Sequence, residues 1–252
     1  MGSYRYEILR ETTTDSLIME NNTREKKMNS NVYGIDLGTC NMKIYCKTSN
    51  KILNEKNTIA LVKKDQIYAY GDAAYAMYEK APETINVTFP VISGVIADFN
   101  NLQTMLQMYL EEHMKGKIRG AEFIVAVPTD ITDVEKRAFF EMFYKSKLKP
   151  KSVLLCEKPI ADAVGLGLDV NEPTGIMVVD IGADTTEISV ISLGGLVLSD
   201  LLHFGGNRID ESIITYVKRT YNLVIGQKTA GIKREAWFRY SWKYRNHGHC
   251  RT

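Results

Sequence analysis

The stretch GIDLGTCNMKIY at residues 34–45 has a close counterpart in VVDIGADTTEISV at residues 178–190. In both, an apolar strand leads into an Asp, an apolar residue and a Gly, and a second strand follows after a few small or polar residues. This order is typical of a β-hairpin, because Gly and small polar residues favour tight turns. This internal similarity indicates that the two halves of the chain repeat one structural unit.

Each hairpin places a carboxylate, Asp36 or Asp180, at the tip of its first strand. The Gly that follows lets a ligand approach the backbone N–H groups of the turn, which suits phosphate oxygens. A carboxylate beside phosphate is repulsive unless a cation lies between them, so we expect Mg²⁺ to be held by Asp36 and Asp180 through water. The alternative is a pair of ordinary turns, but the matched flanks favour a clamp for a polyphosphate.

Composition excludes several other classes of protein. The chain has 252 residues, of which 44% are hydrophobic, so it can bury a sizeable core. With 32 Lys and Arg against 30 Asp and Glu, the net charge of +2 provides no broad basic face for nucleic acid. We therefore expect no nucleic-acid partner.

The four cysteines are spaced without a CxxC pair, which favours a reducing cytoplasm over a disulfide framework or a zinc site. No stretch approaches the ~20 apolar residues of a membrane span. Residues 1–27 lack the apolar centre of a secretion signal. We therefore expect a cytoplasmic protein.

Strand and helix patterns alternate from Val32 onward, which predicts an α/β fold with mixed sheets. FIVAVP at residues 123–128 is a continuous apolar run typical of a buried central strand. Strands are also predicted in SVLLC, MVVDI, TTEISVIS and GLVLSDLL, and helices near residues 100–114, 133–147 and 158–167. A last helix is predicted to have one face formed by Ile209, Ile213, Ile214, Val217 and Tyr221.

Several further blocks resemble the MreB family of bacterial actin homologues, and they occur in the order of that family. The similarity covers roughly residues 32–235 and includes SGVIADF at residues 93–99. The blocks are GIDLGTCN, VPTDITDVEKRA, EKPIADAVGLGL, EPTGIMVVDIGADTTEISVISLGG, GGNRIDESIITYVKR and IGQKTA.

The resemblance implies an actin-like fold, duplicated and ribonuclease H-like, with two lobes around an ATP cleft. It also implies self-association into membrane-associated filaments that direct cell-wall synthesis and rod shape. The predicted division is an N-terminal arm at 1–30, a first-lobe core at 31–56 and 97–170, a small inserted subdomain at 57–96, a partial second-lobe core at 171–206, the start of an outer second-lobe subdomain at 207–235, and an atypical tail at 236–252.

The resemblance also implies which residues contact ATP. Thr39, Cys40 and Asn41 would contact the β- and γ-phosphates, and Lys233 and Glu235 would lie on the base side. The full predicted set for the nucleotide is Asp36, Gly38, Thr39, Cys40, Asn41, Asp180, Gly182, Ala183, Asp184, Thr185, Lys233 and Glu235, with Asp36 and Asp180 serving Mg²⁺.

The second loop departs from the family pattern, because Ala183 and Asp184 stand where the family has glycines. An extra carboxylate beside phosphate is expected to weaken ATP binding. This departure keeps open a non-enzymatic structural protein that retains the fold and self-association without hydrolysis.

The resemblance matches Glu135 and Thr174 to positions that orient and activate the attacking water. Glu135 has a second interpretation, because residues 132–135 have the pattern of a capping box that opens a helix. Gly205 and Gly206 fit either a close backbone approach to the nucleotide or a loop before a capped helix. Weak Mg²⁺-dependent ATPase activity coupled to polymerisation is expected from the family, and it is expected to be impaired in this chain.

The family pattern fades after Thr229, and the aromatic and basic stretch from Ala236 is expected to be a truncation or frame-shift scar. A chain without the rest of the second lobe is expected to be impaired in assembly. HGHC at residues 247–250 is an incomplete metal-ligand set. Alternatives for the whole protein are a heat-shock chaperone-like ATPase or a sugar-kinase-like ATPase of the same superfamily.

Overall fold

The computed structural model describes residues 31–63, 66–114 and 118–245, with side chains as far as Trp237. The predicted arm at 1–30 and the HGHC stretch lie outside these residues. In chain order the strands are β1 (Val32–Leu37), β2 (Asn41–Cys46), β3 (Lys51–Lys56), β4 (Ile59–Val62), β5 (Gln66–Tyr70), β6 (Ile85–Thr88), β7 (Val91–Ile92), β8 (Val95–Ile96), β9 (Glu122–Val127), β10 (Ser152–Glu157), β11 (Ile176–Ile181), β12 (Thr186–Ser192) and β13 (Gly195–Leu202), and the helices are α1 (Gly71–Met77), α2 (Phe99–His113), α3 (Asp133–Tyr144), α4 (Lys158–Gly165), α5 (Gly206–Tyr221) and α6 (Gln227–Arg245).

The first lobe is built on a five-stranded sheet with the order β10-β9-β1-β2-β3. β1, β9 and β10 are parallel, whereas β1, β2 and β3 form an antiparallel meander. Helices α2 and α3 contribute apolar side chains to the core of this lobe, in which the Phe123 ring stacks on Tyr33 and contacts the tilted ring of Phe143. The helix predicted near residues 100–114 is present as α2, and its buried residues include Leu102, Met105, Leu106 and Tyr109.

The parallel strands decide where the site lies. Asp36 of β1 is in register with Ala126 of β9, and Cys156 of β10 is in register with the same residue. The carboxyl ends of β1, β9 and β10 therefore meet at one edge of the sheet, which is where α/β proteins commonly bind ligands. The first hairpin turn, the β9–α3 loop and the start of α4 all lie at this edge.

The inserted segment at 57–96 forms a three-stranded sheet with the order β5-β4-β6, the short helix α1, and the β7–β8 hairpin. Ser93 and Gly94 connect β7 to β8 with φ values of 51° and 80°. Positive φ at both central residues is the geometry of a type I′ turn, which the absence of a Cβ makes favourable at Gly94. Val91 anchors this hairpin in the core of the first lobe.

The second lobe contains a three-stranded antiparallel sheet with the order β11-β12-β13. Its buried core is small and consists of Ala163, Val178 and Ile191. Ala163 lies on α4, so this helix packs on the second sheet, although the predicted boundary after residue 170 assigned it to the first lobe. On the opposite face of β11, Met177, Val179 and Ile181 are exposed.

Two helices complete the described part of the chain. The predicted face of α5 is only half-buried, and Tyr221 at its end is exposed. Helix α6 runs without a break through the predicted boundary between residues 235 and 236, so the start of the atypical tail is helical. Between residues 31 and 245, with the gaps given above, no helix is both long and apolar enough to cross a membrane.

Candidate functional site

The first hairpin has the predicted tight turn. A Cβ on Gly38 would stand 2.9 Å from the backbone oxygen of Asn41, so a side chain at Gly38 would force the turn to shift. The Asn57 side chain fixes the turn by donating to the carbonyl of Gly38 at 2.8 Å. Asp36 faces Lys43 across the two strands, and Lys43 Nζ lies 2.7 Å from Asp36 Oδ2.

The second hairpin repeats the turn but not the ion pair. A Cβ on Gly182 would stand 3.0 Å from the backbone oxygen of Thr185. Asp180 faces Glu187 across the strands, so its cross-strand neighbour is an acid. Its cation comes from another element, because Lys158 Nζ at the start of α4 lies 2.6 Å from Asp180 Oδ2.

Glu187 reaches from the second sheet to the first lobe. Its side chain is buried, and Oε1 accepts a hydrogen bond at 3.0 Å from the backbone N–H of Thr129. The Thr129 hydroxyl donates to the same oxygen. Glu187 thus joins the second sheet to the β9–α3 loop of the first lobe, and a buried carboxylate satisfied by such donors stays in place.

Lys158 lies among three carboxylates. Burial alone would lower the pKa of Lys158, but Asp36, the hydrogen bond and charge of Asp180, and the charge of Asp162 outweigh it and raise the pKa. The ammonium group is therefore charged, and it links the acids of both hairpins.

Asp162 is the acid with the least favourable surroundings in this cluster. Burial, followed by the charges of Asp180 and Asp36, raises the pKa of Asp162 from 3.8 to about 6, although Lys158 and Lys43 oppose this shift. Its Oδ2 atom is buried without a hydrogen-bond partner among the described residues. A carboxyl in this position is easily protonated near neutral pH.

A cavity of about 400 Å³ opens between the two hairpins. It brings together most of the residues predicted for the nucleotide. These are Asp36, Gly38, Thr39, Cys40 and Asn41 from the first hairpin, Asp180, Gly182, Ala183 and Thr185 from the second, and Glu235 from α6.

Four predicted residues do not line this cavity. Asp184 lines an adjoining cavity of about 610 Å³, which also takes in Thr39 and Glu235. Lys233 is exposed and lines neither cavity, whereas the neighbouring Arg234 lines both. The remaining two are Glu135 and Thr174, which were predicted to orient and activate the attacking water.

Glu135 serves the capping box of α3. Its carboxylate accepts a hydrogen bond at 2.7 Å from the backbone N–H of Thr132, and the Thr132 hydroxyl caps Glu135 N–H in return. Thr174 is exposed just before β11, at the opposite end of that strand from Asp180. Six residues of extended strand span about 20 Å, so Thr174 lies far from the tip that carries Asp180. The role of Glu135 toward the attacking water stays a prediction.

Asp184 connects the second hairpin to the β7–β8 turn. Its Oδ2 accepts from the backbone N–H of Ser93 at 2.9 Å, and its Oδ1 accepts from the side-chain amide of Asn207 at 2.7 Å. The neighbouring Gly94 N–H donates to the hydroxyl of Thr39 at 3.2 Å. One turn therefore holds both predicted phosphate loops, and the Asp184 carboxylate is occupied by these donors.

The start of α5 packs directly on the second loop. Gly206 and Asn207 donate their backbone N–H groups to the carbonyls of Gly182 and Ala183, at 3.0 and 2.8 Å. A Cβ on Gly205 would stand 2.5 Å from the oxygen of Ala183. The absence of a side chain at Gly205 is therefore required for this close contact with the second loop, and an approach of Gly205 and Gly206 to the nucleotide stays a prediction.

Five charged residues of the cavity were not among the predicted site residues. Lys43 was accessible from the sequence, because the hairpin register places it opposite Asp36. Lys158 had a weaker signal, since it follows directly on a buried parallel strand. The full set of missed residues is Lys43, Lys56, Lys158, Glu187 and Arg234.

The cavity suits a polyphosphate, because two tight glycine turns and the ammonium groups of Lys43, Lys56 and Lys158 face it. The fit for Mg²⁺ is weaker. Both carboxylates predicted to serve the ion, Asp36 and Asp180, are already paired with lysines. Within the described ranges no group of three His, Cys, Asp or Glu side chains could hold a metal directly.

The family model described as MreB/Mbl protein matches residues 30–239. The chain belongs to the MreB/Mbl family. The match extends past the predicted limit of similarity near residue 235 and so includes part of α6. Family membership favours the MreB-type prediction over the chaperone-like and sugar-kinase-like alternatives.

Curated MreB/Mbl relatives agree with this assignment. The chain is 42% identical over 211 residues to the cell shape-determining protein MreB of Escherichia coli strain K12, which covers 81% of this chain and 60% of the relative. It is 40% identical over 199 residues to the cell shape-determining protein Mbl of Bacillus subtilis strain 168, covering 78% and 59%. The chain thus spans about 60% of the length of these relatives.

Solved structures confirm the actin-like fold. MreB5 of Spiroplasma citri bound to AMPPNP is similar with a TM-score of 0.75 and 31% identity, covering 80% of this chain and 61% of that one. The MamK double helical filament is similar with a TM-score of 0.68, 22% identity and coverage of 82% and 65%, and this match bears on the fold alone.

Proposed function

We propose that this chain is an ATP-binding, actin-like cytoskeletal protein of the MreB/Mbl family. The observation that carries the proposal is the pair of hairpins, since both glycine turns reach one cavity between the lobes. Turns of this kind expose backbone N–H groups to phosphate oxygens. The similarity to a member of the family bound to AMPPNP supports a nucleotide as the ligand.

In this proposal the phosphates lie between the two turns. Thr39, Asn41 and Thr185 offer donors from the predicted loops, while Lys56 offers an ammonium group from the end of β3. Mg²⁺ is the companion ion predicted from the sequence, and it would supply charge neutralisation for the phosphates. The lysine partners of Asp36 and Asp180 bear directly on whether that ion is required.

The cellular role that we propose is self-association into cytoplasmic, membrane-associated filaments that direct cell-wall synthesis and rod shape. The support is the role given in the names of the two relatives, which are cell shape-determining proteins. The membrane surface and the cell-wall synthesis machinery are the proposed partners. Weak ATPase activity coupled to polymerisation is part of the same proposal.

The test measures ATP binding by calorimetry and assembly by sedimentation and electron microscopy. We expect saturable ATP binding, whereas ordered filaments from this chain alone would show that the expected impairment of assembly is wrong. Gly182→Ala should weaken ATP binding, because its Cβ would stand 3.0 Å from Thr185 O, whereas Gly195→Ala meets no atom within 4 Å and serves as the control. Absence of ATP binding by the unmodified chain would overturn the proposal.

A further inference from the structure

The two hairpins neutralise their aspartates in different ways. In the first, Lys43 on the adjacent strand faces Asp36 directly. In the second, the facing residue is Glu187, and two acids opposite one another on antiparallel strands repel. The second hairpin therefore depends on a cation from outside its own strands.

Lys158 provides that cation. It is the first residue of α4 and follows β10 without a break, so the backbone of the first lobe fixes its position at the carboxyl edge of the sheet. Its side chain is only 22% exposed and lines the cavity between the hairpins. An ammonium group has three N–H donors, and the ion pair with Asp180 occupies one of them.

We propose that Lys158 is a phosphate-binding residue that acts as the resident cation of the second hairpin, so that nucleotide binds to this chain without a divalent ion at Asp180. The proposal rests on the proposed function, since it concerns how the same cavity holds the phosphates. The Lys158 ammonium group would neutralise the charge of Asp180, a role that the sequence predicted for Mg²⁺.

The geometry leaves little room for a divalent ion at Asp180. An ion bound there would lie beside an ammonium group that is already 2.6 Å from the carboxylate, and the two positive charges would repel. Glu187 cannot readily replace Asp180 as a ligand, because Thr129 occupies its Oε1 atom with two donors. The ammonium group keeps donors for a phosphate oxygen while it stays paired with Asp180.

A purely structural role for Lys158 predicts something different. In that case the ion pair only fastens α4 to the second sheet, and its loss would weaken nucleotide binding equally with and without Mg²⁺. If Lys158 contacts phosphate, its loss leaves Asp180 free to hold Mg²⁺ through water, and Mg²⁺ becomes necessary. The dependence on Mg²⁺ therefore separates the two roles.

The experiment titrates a fluorescent ATP analogue in excess Mg²⁺ and in EDTA. We expect the unmodified chain to bind with dissociation constants within about threefold of each other in the two conditions. Lys158→Met should bind about 10- to 100-fold more weakly in EDTA, the loss of one charge-assisted contact, and should recover most of this in Mg²⁺. Lys158→Arg keeps the charge and should stay independent of Mg²⁺.

Lys151→Met is the matched control. Lys151 forms an ion pair of the same length, 2.6 Å, with Glu122 on the first sheet, and it does not line the cavity. This variant should behave like the unmodified chain.

Each outcome decides one question. If the unmodified chain binds the analogue only with Mg²⁺, the inference is overturned while ATP binding stands. If it binds in neither condition, the proposed function itself fails. Equal weakening of Lys158→Met in both conditions assigns Lys158 a structural role and overturns the inference. Should that variant not fold, the dissociation constants of the unmodified chain in EDTA and in Mg²⁺ still decide whether nucleotide binding needs a divalent ion.

Discussion

At the residue scale, Asp184 joins the two lobes at the mouth of the cleft. Its carboxylate accepts from Ser93 N–H and from the Asn207 side chain, at 2.9 and 2.7 Å. Asp184→Ala removes a charge-assisted acceptor, which contributes about 1.5 to 3 kcal/mol. We expect hydrogen exchange at the amide of Ser93 to become at least tenfold faster, as measured by NMR or mass spectrometry.

Glu83→Ala is a suitable control for this measurement, because it removes an exposed carboxylate from the same inserted segment. Unchanged exchange at Ser93 in Asp184→Ala would show that the contact does not hold the turn. The expected repulsion between Asp184 and phosphate stays a prediction. In the structure the Asp184 carboxylate already accepts hydrogen bonds from donors of the protein. These hydrogen bonds partly offset the repulsion between its charge and a ligand phosphate.

Asp162 predicts a dependence of stability on pH. Folding raises the pKa of Asp162 from 3.8 to about 6, so the folded chain holds this proton more tightly than the unfolded chain does. The resulting contribution to the free energy of unfolding is complete below the ordinary pKa and is lost as pH rises through 6. At pH 7, Asp162→Asn should therefore increase the free energy of unfolding by about 1 to 2 kcal/mol, less than the whole shift because Asp162 is partly exposed.

The check is denaturant unfolding of both proteins at several pH values. The difference between Asp162→Asn and the unmodified chain should shrink toward zero as pH falls from 7 to about 4. A difference that stays constant with pH would show that ionisation of Asp162 is not its cause. Asp36, Asp180, Lys43 and Lys158 are the charged groups that set this pKa.

The sequence could predict the residues at the hairpin tips because turn chemistry is local. Asp36 and Gly38, and Asp180 and Gly182, lie on one cavity as expected. It could not predict Lys158 as the partner of Asp180, because that contact joins α4 to a strand of the other lobe. The position of Glu135 was open to two interpretations, and the capping interaction depends on neighbours only three residues away.

At the element scale, the contact between α5 and the second loop depends on Gly205. Gly205→Ala would place a Cβ 2.5 Å from Ala183 O, a backbone atom that cannot rotate away. We expect the loop to shift, with a loss of about 1 to 3 kcal/mol in the free energy of unfolding. ATP binding should weaken in parallel, because the same loop is proposed to hold phosphate.

Thermal unfolding and the ATP titration measure the two effects. Gly165→Ala is the control, because a Cβ there meets no atom within 4 Å and it lies at the end of a helix, where Ala is favoured over Gly. If Gly205→Ala is as stable as the control, the close contact does not constrain the loop.

Elements with a strong local pattern were predicted, whereas long-range pairing decided the rest. The alternation in β1, β2 and β12 and the periodicity of α2 are read from side chains alone. β3 lacks a clear apolar alternation and exists because the neighbouring strand β2 supplies its hydrogen bonds. Helix α6 was not predicted, and a boundary was placed at Ala236 because the composition changes there, yet no Gly or Pro interrupts the helix from Ile232 to Arg245.

At the scale of the whole molecule, the two lobes have very unequal cores. All of the largest fully buried side chains belong to the first core, including Tyr33, Phe123 and Phe143. The second core has only Ala163, Val178 and Ile191. The sequence could not predict this inequality, because apolar strands such as MVVDI resemble buried strands whether or not a partner covers both faces.

This inequality predicts that the lobes differ in local stability. β12 is the central strand of the second sheet as β1 is central in the first, so their amides are hydrogen-bonded alike. Opening of β12 exposes far less apolar surface, and we expect its amides to exchange at least about 100-fold faster than those of β1.

ATP should then slow exchange in β12 more than in β1, because the ligand adds contacts to the less stable lobe and, at 100 times its dissociation constant, contributes about 2.7 kcal/mol. Hydrogen exchange with and without ATP measures both effects. Equal protection of the two strands without ligand would mean that the lobes open as one unit, and the small core would then not limit the stability of the second sheet.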